Sequence, residues 1–292
     1  MSIETFSVII PAYNAAAYIG EAIESALSQD GFTPEIIVVN DGSTDSTADV
    51  AGSFGSRVTL INTPNCGVAA ARNCGLQIAS GIYLAFLDAD DFWLKAKLKV
   101  QAMKLSKGFT MVYSNRYNIG EIGDLPELQS EVVTMVEGDI WDNLLLGNMI
   151  TASSVVVKRE IINALGGFRE HLPPCEDWDL WLRIAAKNVI GYCPEPLVKY
   201  RLHAEGISKN YLKMNRSRQK VITSVLDSER GHTLSTVRMR RMMAAAWSSS
   251  AWEAARGRDM KQSLLFYANA MLAWPFDGCR WYDLARVICG RV

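Results

Sequence analysis

Three carboxylates follow one apolar run in Ala85-Phe86-Leu87-Asp88-Ala89-Asp90-Asp91. A buried strand that ends in Asp-x-Asp sets two carboxylates at its carboxyl end, where open α/β sheets bind ligands. Such a pair attracts a hard divalent cation, Mg2+ or Mn2+, which proteins hold through one or two carboxylates while phosphate oxygens fill much of the remaining shell. The partner this chemistry asks for is a nucleoside diphosphate. The same residues suit a plainer task, because Asp90 or Asp91 can cap a helix that begins near Leu94. A second acidic group, Glu176-Asp177, opens the helix-period segment Trp178-Asp179-Leu180-Trp181-Leu182-Arg183. An acidic first turn also stabilises a helix with no chemistry attached, and the residues alone leave that alternative open.

The elements that must position these groups alternate. Strand-like runs near 6–11, 35–40, 58–62 and 82–87 are separated by helix-period segments near 17–29, 44–54 and 68–79. This βαβαβαβ order predicts a mostly parallel sheet with helices on both faces and a ligand crevice at the carboxyl ends of its strands. Four strand ends meet there: Tyr13 after the first, Asp41 after the second, Arg72 and Asn73 after the third, and Asp88-Ala89-Asp90 after the fourth. An aromatic turn can stack on a base, a carboxylate can accept from a pyrimidine N–H, and an arginine can meet a phosphate or base oxygen. Taken singly, Asp41-Gly42-Ser43-Thr44-Asp45 also reads as a tight turn with a helix N-cap, and Arg72 as a solvated helix residue. No Gly-x-Gly-x-x-Gly or Walker pattern follows any strand, which argues against dinucleotide dehydrogenases and P-loop NTPases. Beyond Met111 the pattern is mixed: a strand at 111–116, a loop at 120–138, a short helix near 139–147, a strand at 152–157, and a helix from 159 that stops at Gly166-Gly167. A helix after Asp177 and short strands at 189–193 and 197–202 close the body. Three or four helices follow Ser208.

With 292 residues, 49% hydrophobic and 21% charged, the chain has ample core for one large domain and an extension. It enters a strand at once, without a basic leader or a signal-length apolar run, so the expected location is the cytoplasm. No run approaches roughly 18 apolar residues, so no membrane span is expected. Six cysteines show neither Cys-x-x-Cys nor zinc spacing and are expected to be reduced thiols. The net charge of −1 hides an asymmetry: residues 1–208 carry 15 Lys and Arg against 25 Asp and Glu, and residues 209–292 carry 15 against 6. An acidic body suits cation-assisted phosphate chemistry, and a basic extension suits an anionic surface.

The segments Val8-Ile9-Ile10-Pro11-Ala12-Tyr13-Asn14, Val38-Val39-Asn40-Asp41-Gly42-Ser43-Thr44-Asp45, Gly67-Val68-Ala69-Ala70-Ala71-Arg72-Asn73 and Phe86-Leu87-Asp88-Ala89-Asp90-Asp91, in this order and spacing, resemble the signature of family 2 glycosyltransferases. The likeness is strong over residues 6–100, looser over 150–208 and absent from 209–292. It implies a GT-A fold, an α/β sheet with Rossmann-like parallel strands, and an inverting transfer from a nucleotide-sugar donor, UDP-linked by resemblance with dTDP and GDP left open, to a saccharide or lipid-linked acceptor, by family habit in surface polysaccharide or glycoconjugate assembly. By position, Pro11, Ala12, Tyr13 and Asp41 would hold the base, Arg72 would assist at base or diphosphate, and Asp88 would touch the ribose, with Ala89 between it and Asp90. Asp90 would hold Mg2+ or Mn2+, and Asp177 would be the catalytic base, its pKa pulled down by the helix N-terminus and pushed up by Glu176 and Asp179. Tyr200-Arg201-Leu202-His203 resembles a late Tyr-Arg-x-His element, with Ser208 at its trailing serine, which would make His203 a metal or diphosphate ligand. The processive members' Gln-x-x-Arg-Trp element is not matched: Arg280-Trp281 has Asp277 in the glutamine position, so a non-processive enzyme is expected.

Two other readings stand beside this one. A sugar-phosphate nucleotidyltransferase would need a Gly-rich N-terminal loop, which Pro11-Ala12-Tyr13-Asn14 does not supply. A catalytically silent nucleotide-sugar-binding or scaffold protein would keep the fold without needing Asp88, Asp90 and Asp177. The extension, residues 209–292, holds Trp247, Trp252, Trp274 and Trp281 among arginines. It reads either as a small helical core or dimer seam with a solvated basic face, or as a peripheral contact with the inner membrane face. No nucleic-acid motif accompanies the charge, so no nucleic-acid partner is expected.

Overall fold

The computed structural model describes residues 5–123, 125–203 and 210–289. Ser208 lies outside them. The chain divides into two compact units, residues 1–140 with 149–204 and residues 141–148 with 205–292.

In chain order the elements are β1 (Phe6–Ala12), α1 (Ile19–Leu27), β2 (Glu35–Asp41), α2 (Thr47–Gly52), β3 (Thr59–Thr63), α3 (Val68–Ile78), β4 (Tyr83–Phe86), β5 (Phe92–Trp93), α4 (Lys97–Leu105), β6 (Met111–Gly120), α5 (Trp141–Leu144), β7 (Val156–Lys158), α6 (Arg159–Ala164), α7 (Glu176–Ala185) and β8 (Ile190–Leu202). Helix α5 belongs to the second unit and the others to the first. One eight-stranded sheet runs β3-β2-β1-β4-β7-β6-β8-β5. The first four strands and the β6–β8 pair are parallel, while β7 and β5 pair antiparallel to their neighbours.

Strand β1 is buried throughout and apolar apart from Ser7, as a strand covered on both faces must be. Phe6, Val8, Ile10 and Ala12 share a core with Ile19, Ala22 and Ile23 of α1 and Leu98 and Ala102 of α4. Ile9 points to the opposite face, where α3 approaches so closely that a Cβ on Gly75 would lie 2.6 Å from its Cγ2. Strand order reverses between β1 and β4, which makes their carboxyl ends the switch-point crevice. Pairing of β1 with β4 ends at Ile9 and Phe86, whereas β2 stays paired to β1 as far as Ala12. Pro11 therefore sits where its missing N–H breaks no ladder with β4.

The second half departs from expectation in instructive ways. The two short strands expected at 189–193 and 197–202 are one strand, β8, whose register against β6 shifts between Ser114 and Arg116. That irregularity absorbs Pro194 and Pro196, which look like breakers in the sequence. Residues Ala152–Ser154 form a 3-10 turn, leaving only Val156–Lys158 as strand. The helix expected near Leu94 starts at Lys97, capped by neither Asp90 nor Asp91. Instead Phe92 and Trp93 pair with Lys199 and Val198 of β8.

The second unit comprises α5 with α8 (Tyr211–Leu226), α9 (Thr236–Arg256), α10 (Met260–Ala273) and α11 (Gly278–Ile288). The side chains of Asn210, Ser235, Asp259 and Asp277 accept from the first-turn N–H groups of the last four helices in turn. Ala251, Ala254, Phe266, Tyr267 and Val287 form the core, with Trp247 packed against it. Among the described residues no helix is long and apolar enough to cross a membrane.

Candidate functional site

The turns after β1 and β2 are stitched together. Asn14, at φ 48°, donates its N–H to Ser43 Oγ (3.0 Å) and accepts from Thr44 N–H (2.8 Å). Asp45 accepts from Ala16 N–H and from Thr47, whose hydroxyl is the main cause of its lowered pKa. This lattice leaves Tyr13 exposed at the strand end, while Pro11 and Ala12 are buried within β1. Asp41 is buried too, its two carboxylate oxygens accepting from Cys66 N–H and Gly67 N–H at 2.8 Å. It anchors the loop that launches α3. Gly42 is required there, since a Cβ would come 2.7 Å from Asn65 N.

The acidic turn after β4 divides its labour. Asp88 is half-buried and accepts from Arg72 (2.7 Å), Ala89 is buried, and Asp90 Oδ2 stands 3.0 Å from His203 Nε2. Asp91 points inward, accepting from Ser153 hydroxyl (2.5 Å) and from Arg201 N–H (2.9 Å). Ser153 in turn accepts from Asp88 N–H (3.1 Å), and the Arg201 guanidinium donates to Asp90 C=O (3.0 Å) and to Glu21 (2.8 Å). Asp91 and Arg201 thus fasten the end of β8, and with it His203, to the turn that carries Asp90. Tyr18 lies beside both, 5.1 Å from the His203 ring and 4.8 Å from the Arg201 guanidinium. Burial raises the pKa of Asp90, and Asp88 raises it further. Burial, then Asp90 and Asp88, push Asp91 well above the ordinary carboxyl range.

Arg72 is not the solvated residue that composition suggests. It is buried, donates through Nη2 to Asp88 and through Nη1 to Glu176 (2.6 Å), and lies 5.3 Å from the Phe168 ring. Burial alone would lower its pKa, but the carboxylates of Asp88, Glu176 and Asp177 raise it on balance. Asn73 holds the backbone of Phe168 from both sides, accepting its N–H (2.9 Å) and donating to its C=O (2.8 Å). Neighbouring residues of α3 therefore fix the segment that leads into α7. At the start of α7, Glu176 is buried against Arg72, Asp177 is half-buried, and Asp179 is paired with Arg169 (3.0 Å) and Arg183 (2.8 Å). The acids flanking Asp177 are each matched by arginine, which offsets the repulsion expected from sequence.

The site thus joins Asp88, Arg72, Glu176 and Asp177 on one side and Asp90, His203, Asp91 and Arg201 on the other. Ser153 was invisible to sequence reasoning because its segment reads as strand. Asp91 and Arg201 were in view, but only the fold shows that their polar groups face protein. Among the described residues no three His, Cys, Asp or Glu side chains form a closed metal cluster. One carboxylate and one imidazole at an under-neutralised acidic turn fit an ion that takes most of its shell from phosphate and water.

Comparison with known proteins agrees with this architecture. The model of the family described as Glycosyl transferase family 2 matches residues 7–164. An uncharacterized glycosyltransferase of Rickettsia felis is 34% identical over 72% of this chain and 36% of its own length. One from Rickettsia prowazekii is 32% identical over 68% and 64%, so this chain spans only part of these relatives. The Escherichia coli UDP-Glc:alpha-D-GlcNAc-diphosphoundecaprenol beta-1,3-glucosyltransferase WfaP is 33% identical over 76% of this chain and 87% of its own. Among solved structures, residues 1–349 of S. aureus TarS in complex with UDP-GlcNAc superpose with a TM-score of 0.68 at 18% identity, covering 98% of this chain and 88% of that one. The Pyrobaculum calidifontis mannosyltransferase PcManGT, in complex with GDP-Man and Mn2+, gives 0.61 at 17% identity over 98% and 85%. The acidic turn at a switch-point crevice, the helix that opens on Glu176-Asp177 and the family match over more than half the chain lead to one conclusion: this protein belongs to glycosyltransferase family 2 and has the GT-A fold.

Proposed function

We propose that the chain transfers a sugar from a UDP-sugar, with inversion, to a hydroxyl of a saccharide carried on a lipid diphosphate. The observation that carries the reading is the buried guanidinium of Arg72, which ties Asp88 at the donor strand end to Glu176 beside Asp177. Tyr13 stacks on the base. Asp41 keeps lone pairs for the base N–H after accepting two backbone donors, and Pro11 and Ala12 shape the strand end beneath. Asp88 meets the ribose across Ala89. Arg72, with both ends engaged by protein carboxylates, acts as a positioning residue.

Asp90 and His203 would hold Mg2+ or Mn2+, which when bound would supply positive charge to a diphosphate leaving group. Asp177 takes the acceptor hydroxyl's proton on the face opposite the diphosphate, so the new bond forms as the old one breaks and no sugar is held covalently by the chain. UDP as carrier is supported by the WfaP name and by the shared fold with the UDP-GlcNAc complex of TarS, and the lipid-linked acceptor by the WfaP name alone.

The test is transfer from UDP-Glc and UDP-GlcNAc to a synthetic GlcNAc-diphosphate lipid, with the product anomer read by NMR. The expected product has the anomeric configuration opposite to the donor's. Asp177→Asn is expected to lower kcat by roughly 10²- to 10⁴-fold with UDP affinity unchanged. Retention of configuration, or an Asp177→Asn enzyme of wild-type rate, would overturn the reading.

A further inference from the structure

The most exposed large apolar side chains among the described residues are Leu272 (82%), Phe276 (79%), Tyr282 (67%) and Ile288 (67%), all in α10, α11 or the turn between them. Helix α10 is apolar on two sides. Phe266, Tyr267 and Ala270 face the core of the second unit, while Leu264, Leu265 and Leu272 face outward. A helix apolar all round is normally covered all round. Outer positions of α11 repeat the pattern with Trp281, Tyr282 and Ile288.

Charge on this stretch is sorted as well. Every exposed charged residue from 254 to 289 is a base: Arg256, Arg258, Lys261 and Arg286. The three acids of the stretch are half-exposed, and two of them are engaged by protein groups. Asp259 caps α10 and accepts from Tyr211 hydroxyl (2.6 Å), Asp277 caps α11 and pairs with Arg280, and Asp283 is half-buried. Arg256 and Arg286 lie over the rings of Trp252 (4.7 Å) and Tyr282 (6.0 Å), holding cations beside amphipathic aromatics.

We propose that the α10–α11 hairpin docks on a lipid bilayer containing anionic phospholipid. Aliphatic and aromatic side chains enter the interface while the four bases meet headgroup phosphates. Charge complementarity selects this occupant over a second copy of the chain. An isologous contact through the same face would set these bases against each other, while Asp259 and Asp277 are already engaged by Tyr211 and Arg280. The inference deepens the reading of a lipid-linked acceptor and rests on it for its purpose, since a membrane-bound enzyme meets such an acceptor where it resides.

The test is flotation of the full chain with vesicles, measured without donor or acceptor, so its outcome is independent of whether transfer occurs. Binding to vesicles with roughly 30% phosphatidylglycerol is expected to exceed binding to pure phosphatidylcholine at least about 10-fold, and to weaken as salt is raised. Leu272→Ser with Phe276→Ser, and separately Arg256→Gln with Arg258→Gln, should each lower binding about 10-fold. All four positions are exposed, and UDP binding by each variant reports that the fold is intact. Equal binding to both vesicle types, no binding, or variants that bind like the wild type would overturn the proposal. So would a wild-type dimer in sedimentation velocity that Leu272→Ser with Phe276→Ser dissolves.

Discussion

The Arg72 guanidinium spans 16 residues of sequence to Asp88 and 104 to Glu176, and all three polar groups lie at or near the interior. Its Nε and Glu176 Oε2 have no hydrogen-bond partner, so the Arg72–Glu176 pairing rests on the Nη1–Oε1 bond. Arg72→Gln leaves Glu176 as an unpaired buried charge and should cost about 3–5 kcal/mol, read as a lower urea midpoint. Arg72→Lys should not restore it, because a single ammonium lacks the planar fork whose two terminal nitrogens reach Glu176 and Asp88 separately; a lysine variant as stable as wild type would contradict this. Asp90 makes a second residue-scale prediction. Its carboxyl is raised above 3.8 by burial and by Asp88. A raised acid favours the folded state when protonated, so its contribution is present below the ordinary carboxyl range and lost as pH climbs through the folded value. Without metal, Asp90→Asn should melt at a higher temperature than wild type near neutral pH, the gap closing toward about pH 4. Calorimetric scans across that range check it, and a variant melting lower at neutral pH would refute it. Sequence showed which acids gather here, because strand and acid are adjacent in the chain. It could not show that Arg72 is buried, since its partners come from two other elements.

At the scale of elements, the short β5–β8 pairing and Asp91 set the position of His203. Asp91 accepts from Ser153 and from Arg201 N–H, and Arg201 returns a bond to Asp90 C=O. Asp91→Ala removes the acceptor from one buried and one part-buried donor and should destabilise by about 1–3 kcal/mol. It should also weaken metal-dependent UDP binding without touching the ligand. Asp91→Asn keeps an acceptor for the Arg201 N–H and should retain more of that binding. Calorimetry of UDP with Mn2+ distinguishes them, and equal affinity in wild type and Asp91→Ala would remove the positioning role. The βαβ half of this architecture was legible because β1, β2 and β4 are largely apolar runs bounded by turn residues. Strand β8 was not, because Pro194 and Pro196 break the local pattern and only the bulged pairing with β6 restores it. Strand β5, two residues long, carries no periodic signal at all.

For the whole molecule, charge is the most legible property. The acidic first 208 residues hold the site proposed to take a nucleoside diphosphate with its cation, and the basic remainder includes helices with exposed apolar and basic side chains. The asymmetry was visible in composition, whereas the engagement of Asp259 by Tyr211 and of Asp277 by Arg280, which leaves bases as the most exposed charges of the last helices, needs the fold. Both properties have meaning only if the donor site works as proposed. The most direct measurement is calorimetric titration of wild type, Asp90→Ala and Asp177→Asn with UDP, each with and without Mn2+. The account predicts Mn2+-dependent binding in wild type, its loss in Asp90→Ala and its persistence in Asp177→Asn. UDP binding indifferent to both Mn2+ and Asp90, or no binding under any condition, would contradict it.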